Sequence, residues 1–194
     1  IIPQNVYGMT ENSSHQFTHP DDTTETIVGT CGRGGPAYEV QVFNPEDRQQ
    51  TLSPGEVGEI GGRGAALMLG YFGDQQSTEE SFNSLGWFMS GDLGRLDVNG
   101  NLEIVGRLKD LIIRGGRNIL PAKIEDLAVR HRLVAKAAAV GVPDTRLGEK
   151  VCLVVSSYSS IAPTAEDVLA HLDQQGLSTY DMPEYFCVVR EFPL

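Results

Sequence analysis

The sequence predicts an α+β chain in two parts: a small glycine-rich, β-barrel-like piece over residues 1–108 and a compact α+β module over residues 109–194. Three observations lead there. Up to Arg107 the chain reads as short strands separated by Gly and Pro turns. Beyond Pro121 helical and strand periodicities alternate. Between them, Gly106 to Glu125 carries two short apolar runs, Leu111–Ile113 and Asn118–Leu120, on either side of Arg114-Gly115-Gly116-Arg117, the pattern of a tight hairpin.

In chain order, Asn5 to Asn12 gathers Tyr7, Gly8, Thr10 and Glu11 in a turn after a short apolar start. An aromatic face can stack on a purine, a hydroxyl can meet a phosphate oxygen, and a carboxylate is a hard ligand for Mg²⁺. On spacing alone the same residues also make an ordinary Tyr-Gly turn. Tyr38 to Phe43 alternates as a strand, Ser53 to Glu56 is a turn, and Val57 to Ile60 resumes the sheet. Gln75 to Phe82 has helical composition, with Ser77 or Thr78 as its cap. Trp87 and Phe88 lead into Ser90-Gly91-Asp92, where Asp92 could accept hydrogen bonds from vicinal hydroxyls or serve only as a turn aspartate. Asn99-Gly100 joins two further strands, Leu93–Asp97 and Leu102–Val105, as a hairpin ending at Arg107 and Lys109.

The second part reads as a helix over 122–131, strands over 135–142 and 151–156, a helix over 165–175 and a strand over 185–190. Thr164 and Asp167 form a capping box, and Gly176 ends the helix.

Composition narrows the function. The chain of 194 residues has 15 basic and 26 acidic residues, yet between Val105 and Lys136 eight Lys or Arg face three acids. A basic segment in an acidic protein points to a locally held anion such as a phosphate chain rather than to nucleic acid, although such a run can also be a solvated helix face. No stretch reaches the roughly 18 apolar residues that suggest a membrane span, and no signal-peptide pattern opens the chain, so a cytoplasmic location is expected. Cys31, Cys152 and Cys187 make neither a disulfide framework nor a metal cluster; the last two read as buried strand residues.

The order of these pieces resembles the adenylate-forming superfamily. Asn5 to Glu11, Gly58-Glu59-Ile60 through Leu69-Gly70-Tyr71, Phe88 to Leu93, and Gly106 to Asp110 through Pro121 to Glu125 are similar to four successive core motifs. Val140 to Asp144 followed by Gly148-Glu149 fits as well. Members include acyl-CoA synthetases, luciferases and the adenylation domains of peptide synthetases. Tyr7 to Asn12 together with Arg114 to Ile119 looks most like medium-chain or alicyclic acyl-CoA ligases, including the cyclohexanecarboxylate type.

The resemblance implies an acid–thiol ligase using ATP, Mg²⁺, CoA and a small carboxylic acid: acyl-AMP forms first, and CoA then displaces AMP. It implies that residues 1–108 are the end of a large adenylation domain and 109–194 a mobile lid. Tyr7 would stack on adenine beside Gly8, Thr10 would bind the α-phosphate, and Glu11 would ligate Mg²⁺. Asp92 would hold the ribose hydroxyls with Arg107, and Ile104 would join the nucleotide contacts. Lys109 would be the hinge, and Gly115 and Gly116 would line the pantetheine passage. The family's phosphate loop and its late catalytic lysine have no counterpart between Ile1 and Leu194, and Arg132 stands where the family often has proline. The expectation is therefore a piece of a ligase, inactive alone. A peptide-synthetase adenylation domain and a non-catalytic nucleotide-binding module are the alternatives.

Overall fold

The computed structural model describes residues 2–158 and 161–192. Ile1, Pro193 and Leu194, on which the reading of the chain ends rests, lie outside the described residues. The chain divides into two compact units between Leu108 and Lys109.

The first unit opens with β1 (Val6–Met9), β2 (Ser13–Phe17), the short α1 (Thr24–Gly29) and β3 (Arg33–Gly34). These strands form a three-stranded sheet in chain order. Then follow β4 (Tyr38–Asn44), β5 (Asp47–Thr51), β6 (Gly58–Gly64), α2 (Gln75–Glu80), β7 (Phe88–Leu96) and β8 (Leu102–Arg107). They build an antiparallel sheet of order β5-β4-β6-β7-β8. The expected barrel is thus corrected to open sheets: β5 and β8 end the ladder without meeting each other. β5 reads Asp47-Arg48-Gln49-Gln50-Thr51 and is mostly exposed, a polar edge of the kind that discourages further strand pairing.

Two details of this unit differ from expectation. The cap of α2 is Asp74, whose carboxylate accepts from the Ser77 amide at 2.9 Å, rather than Ser77 or Thr78. Asn5 to Asn12 is not merely a turn, because its first half is a strand paired with β2. Gly8 is required there. A β-carbon on it would lie 2.2 Å from the Ser13 carbonyl oxygen and 2.5 Å from the Ser14 Cα.

A 3₁₀ turn, Leu108–Asp110, crosses the boundary into the second unit. That unit continues with β9 (Ile112–Arg114), β10 (Arg117–Ile119), α3 (Pro121–Ala128), β11 (Val134–Asp144), β12 (Gly148–Ser157), α4 (Ala165–Gln174) and β13 (Tyr185–Val188). β12 is central, antiparallel to β11 on one side and flanked by β9 and the parallel β13 on the other. Val151, Leu153 and Val155 alternate into the core and meet Ile124 and Ala128 of α3 and Val168 and Leu172 of α4, each helical pair one turn apart. Pro121 starts α3, and Thr164 caps α4 by accepting from the Asp167 amide at 3.2 Å. Gly176, at φ +81°, closes α4. Cys152 is only half-buried, and Cys187 is exposed on β13, which corrects the buried reading of both. The described cysteines are all free thiols.

Candidate nucleotide site

The side chains that sequence places far apart meet at Asp92. β7 and β8 set Asp92 opposite Arg107 in the ladder, and the Arg107 Nε donates to Asp92 Oδ1 at 2.8 Å. From β1, 85 residues away, the Tyr7 hydroxyl donates to Asp92 Oδ2 at 2.9 Å. Asp92 is 8% exposed, so a carboxylate is held nearly dry between a phenol and a guanidinium. Burial, with the negative Asp92 beside it, pushes the Tyr7 hydroxyl well above its usual range and keeps it a donor.

Tyr7 itself is only 9% exposed. Its ring packs with Ile60 and Leu102 and meets the His15 ring edge-on at 5.4 Å. Protein thus covers most of the face expected to stack on adenine, and its hydroxyl is committed to Asp92. Thr10 is exposed in the turn after β1, and Ile104 is 36% exposed on β8. Glu11 accepts from the Tyr71 hydroxyl at 3.0 Å, and its backbone oxygen accepts from the Met68 amide at 2.7 Å. Glu11, Met9, Arg48, Glu59, Ser90 and Arg107 are among the residues lining one open cleft of about 780 Å³ within the first unit.

That cleft presents carboxylates, guanidinium groups and hydroxyls together. A phosphate-bearing ligand needs such a mixture, with cations for the phosphates and acceptors for ribose hydroxyls. Glu11 supplies one carboxylate at the rim. Mg²⁺ that is also held by substrate phosphates needs no more than one or two, so the residues present fit it. Among the described residues no group of three or more His, Cys, Asp and Glu side chains is placed to hold a metal alone.

In the second unit Lys109 is exposed in the 3₁₀ turn. Gly115 and Gly116 form the two-residue turn between β9 and β10, at φ +59° and +80°. That backbone favours glycine whatever passes nearby, since a β-carbon on Gly116 would meet nothing within 4 Å. Part of the basic segment is also used internally. Arg114 Nε donates to Glu184 at 2.6 Å, and Arg117 Nε donates to the buried Asp181 at 3.1 Å, with Lys123 3.5 Å from the same carboxylate. Those acids lie more than 60 residues further on, beyond the reach of a local charge count.

Sequence reasoning missed Glu59 and Arg48. Glu59 is fully buried on β6, and Arg48 of β5 closes on it with two bonds, at 2.9 and 3.1 Å. A carboxylate between Gly58 and Ile60 in a strand of buried residues was the available signal.

An open antiparallel sheet carrying a phosphate-compatible cleft, followed by a separate α+β unit, agrees with the adenylate-forming resemblance of the motifs. The family model of the AMP-binding enzymes matches residues 2–72, and that of the AMP-binding enzyme C-terminal domain matches residues 123–194. The chain belongs to this adenylate-forming superfamily. More particularly, it is 40% identical over 190 residues to the mitochondrial medium-chain acyl-CoA ligase ACSF2 of Mus musculus, covering 97% of this chain and 31% of that protein. It is 35% identical over 189 residues to the medium-chain fatty-acid–CoA ligase of Escherichia coli K12, covering 97% of this chain and 33% of that one. Among solved structures, ATP-bound MatB from Rhodopseudomonas palustris matches with a TM-score of 0.91 and 33% identity, over 98% of this chain and 37% of MatB. The chain spans about a third of the length of the curated relatives it matches. No helix among the described residues is long and apolar enough to cross a membrane.

Proposed function

We propose that the polypeptide carrying these residues is an AMP-forming acid–thiol ligase that activates a medium-chain carboxylic acid with ATP and passes the acyl group to CoA. The observation that carries the reading is the convergence of Tyr7 and Arg107 on Asp92 beside a mixed-charge cleft, in a chain 35–40% identical to medium-chain acyl-CoA ligases.

In this reading Asp92 accepts hydrogen bonds from the ribose hydroxyls. Its Tyr7 and Arg107 bonds fix its rotamer, so it need not reorganise when the nucleotide arrives. Arg107 neutralises charge at the cleft wall, and the exposed Thr10 hydroxyl is available to a phosphate oxygen. Glu11, held by Tyr71, would be the protein's ligand to Mg²⁺, which when bound offsets phosphate charge. Tyr7 acts here through Asp92 more than by stacking. Ile104 and Gly8 stand beside this set on their strands, Gly8 by allowing the close approach of β1 to β2. Lys109 is the pivot of the second unit, and the Gly115–Gly116 turn borders the CoA passage. A cytoplasmic setting belongs to the same proposal, and the mouse relative's mitochondrial designation is said of that protein alone.

The test uses the full chain encoded around this segment. Acid-dependent ATP–pyrophosphate exchange with medium-chain acids, followed by thioester formation on free CoA, is the expected pair of activities. Exchange without thioester would favour a peptide-synthetase adenylation domain, and neither activity would leave a nucleotide-binding module. Lys109→Pro locks φ and removes a backbone donor, so it should spare exchange while lowering thioester formation about tenfold or more. Equal loss of both steps would contradict the pivot.

A further inference from the structure

The Asp92 carboxylate is carried on an irregular stretch of β7. β6 and β7 pair Glu59 with Leu93 and Gly61 with Met89, so Ser90, Gly91 and Asp92 together face Ile60 alone. A bulge of this kind re-aims a side chain and leaves backbone groups outside the ladder. Gly91, at φ +72°, takes the left-handed turn that the bulge needs. Its amide donates to Glu59 Oε1 at 3.1 Å. The Asp92 amide donates to Ser90 Oγ at 3.1 Å, and Ser90 Oγ donates to the Ile60 carbonyl at 2.7 Å.

Glu59 is therefore the side chain from the neighbouring strand that satisfies the bulge, and it does so fully buried. Burial of a carboxylate needs compensation, which Arg48 gives through its two-pronged contact. Arg48 is in turn anchored by donating to the Glu80 carbonyl at 3.1 Å, while its own carbonyl accepts from the Asn83 side chain at 2.8 Å. Stability alone does not call for this arrangement, since a well-packed apolar pair often serves as well as a buried ion pair. What an apolar residue cannot do is accept the Gly91 N–H.

We infer that Glu59, clamped by Arg48, is a positioning residue that sets the Ser90–Gly91–Asp92 bulge and thereby the direction in which Asp92 presents its carboxylate to a ribose diol. The inference rests on the ribose reading of Asp92. It acts on selectivity: a misaimed Asp92 still leaves a folded cleft but no longer distinguishes a ribose from a sugar lacking a hydroxyl.

The experiment measures, in the full encoded chain, the ratio of kcat/KM for ATP to that for 2′-deoxy-ATP in acid-dependent pyrophosphate exchange. The fraction of active enzyme cancels in that ratio, so a merely structural role for Glu59 would lower activity and Tm while leaving it alone. Glu59→Leu, which removes the acceptor, should lower the ratio about tenfold, the size expected for a lost charge-assisted hydrogen bond. Glu59→Asp keeps the charge but withdraws it from Gly91; it should lower the ratio severalfold and serves if the leucine variant does not fold. Glu59→Gln retains an acceptor oxygen and should restore most of the selectivity. Wild-type ratios in both Leu and Asp variants would overturn the positioning role, provided Asp92→Ala collapses the ratio. If Asp92→Ala also leaves the ratio unchanged, the ribose reading is what has failed, and this inference falls with it.

Discussion

The interiors of the two units are built on different chemistry. The second unit has one continuous apolar core running from Ile112 to Leu177, with Ser156 and Asp181 as its buried polar residues among those described. The first unit divides its apolar interior between the group around Tyr7, Ile60 and Leu102 and the group of Phe43, Trp87 and Met89. It also buries Asn12, His15, Gln16, Glu59, Asp92 and Asn101. Among the described residues, side-chain atoms of Asn12, His15, Gln16 and Asn101 in the first unit are buried without a hydrogen-bond partner. Buried polar groups lower stability unless they are paired. One unit thus has an almost wholly apolar interior, while the other keeps many polar groups inside.

The glycines repeat the contrast, and substituting them gives the largest effect. Gly8 is excluded from bearing a side chain by backbone atoms at 2.2 and 2.5 Å, which cannot swing aside. Gly8→Ala should destabilise the first unit by about 3 kcal/mol, read as a shift in the urea midpoint. A midpoint within error of wild type would show that β1 and β2 can separate freely.

Acid tests a buried histidine of the first unit next. His15 is buried, stacked on Tyr38 with ring centroids 4.1 Å apart, and burial lowers its pKa from 6.5 to about 4. The unfolded chain therefore binds a proton between those values that the folded chain does not. Stability from this group is present above pH 6.5 and is lost as pH falls toward 4. Urea melts should lose roughly 2 kcal/mol across that window, and His15→Phe should remove this part of the acid limb. An unchanged limb in the variant would assign the acid sensitivity elsewhere.

The smallest effect falls in the second unit. Gly116 has open space but a positive φ, so Gly116→Ala should cost about 1 kcal/mol and Gly116→Asn less, because asparagine tolerates that backbone. If thioester formation nonetheless collapses in Gly116→Asn while pyrophosphate exchange persists, the glycine serves the CoA passage as well as the turn. If both steps proceed normally, the turn accounts for it.

How much could be read beforehand follows the same division. In the second unit, the apolar run Val151 to Val155, a proline start, a threonine cap and a glycine stop are local signals, and they lead to β12, α3 and α4. In the first unit, Asn99-Gly100 marked its hairpin, but Ser13-Ser14-His15-Gln16 gives no alternation that would mark β2. The antiparallel strands read as a barrel because closure depends on whether the two edges meet, which no local pattern encodes. At the site, Tyr7, Asp92 and Arg107 were identifiable as motif residues; that their side chains bond one another was not. Glu59 went unassigned because its partners come from β5 and from a bulge, and both are tertiary facts. The ion pairs of Arg114 and Arg117 were hidden for the same reason.

The central claim is that the dry carboxylate of Asp92, braced by Tyr7 and Arg107, holds the nucleotide. The most direct measurement compares acid-dependent ATP–pyrophosphate exchange in the wild-type full chain and in Asp92→Ala as ATP is varied. Loss of charge-assisted hydrogen bonds worth about 1.5–3 kcal/mol should lower kcat/KM for ATP by roughly ten- to a hundredfold. ATP kinetics identical to wild type in a folded Asp92→Ala protein would contradict it.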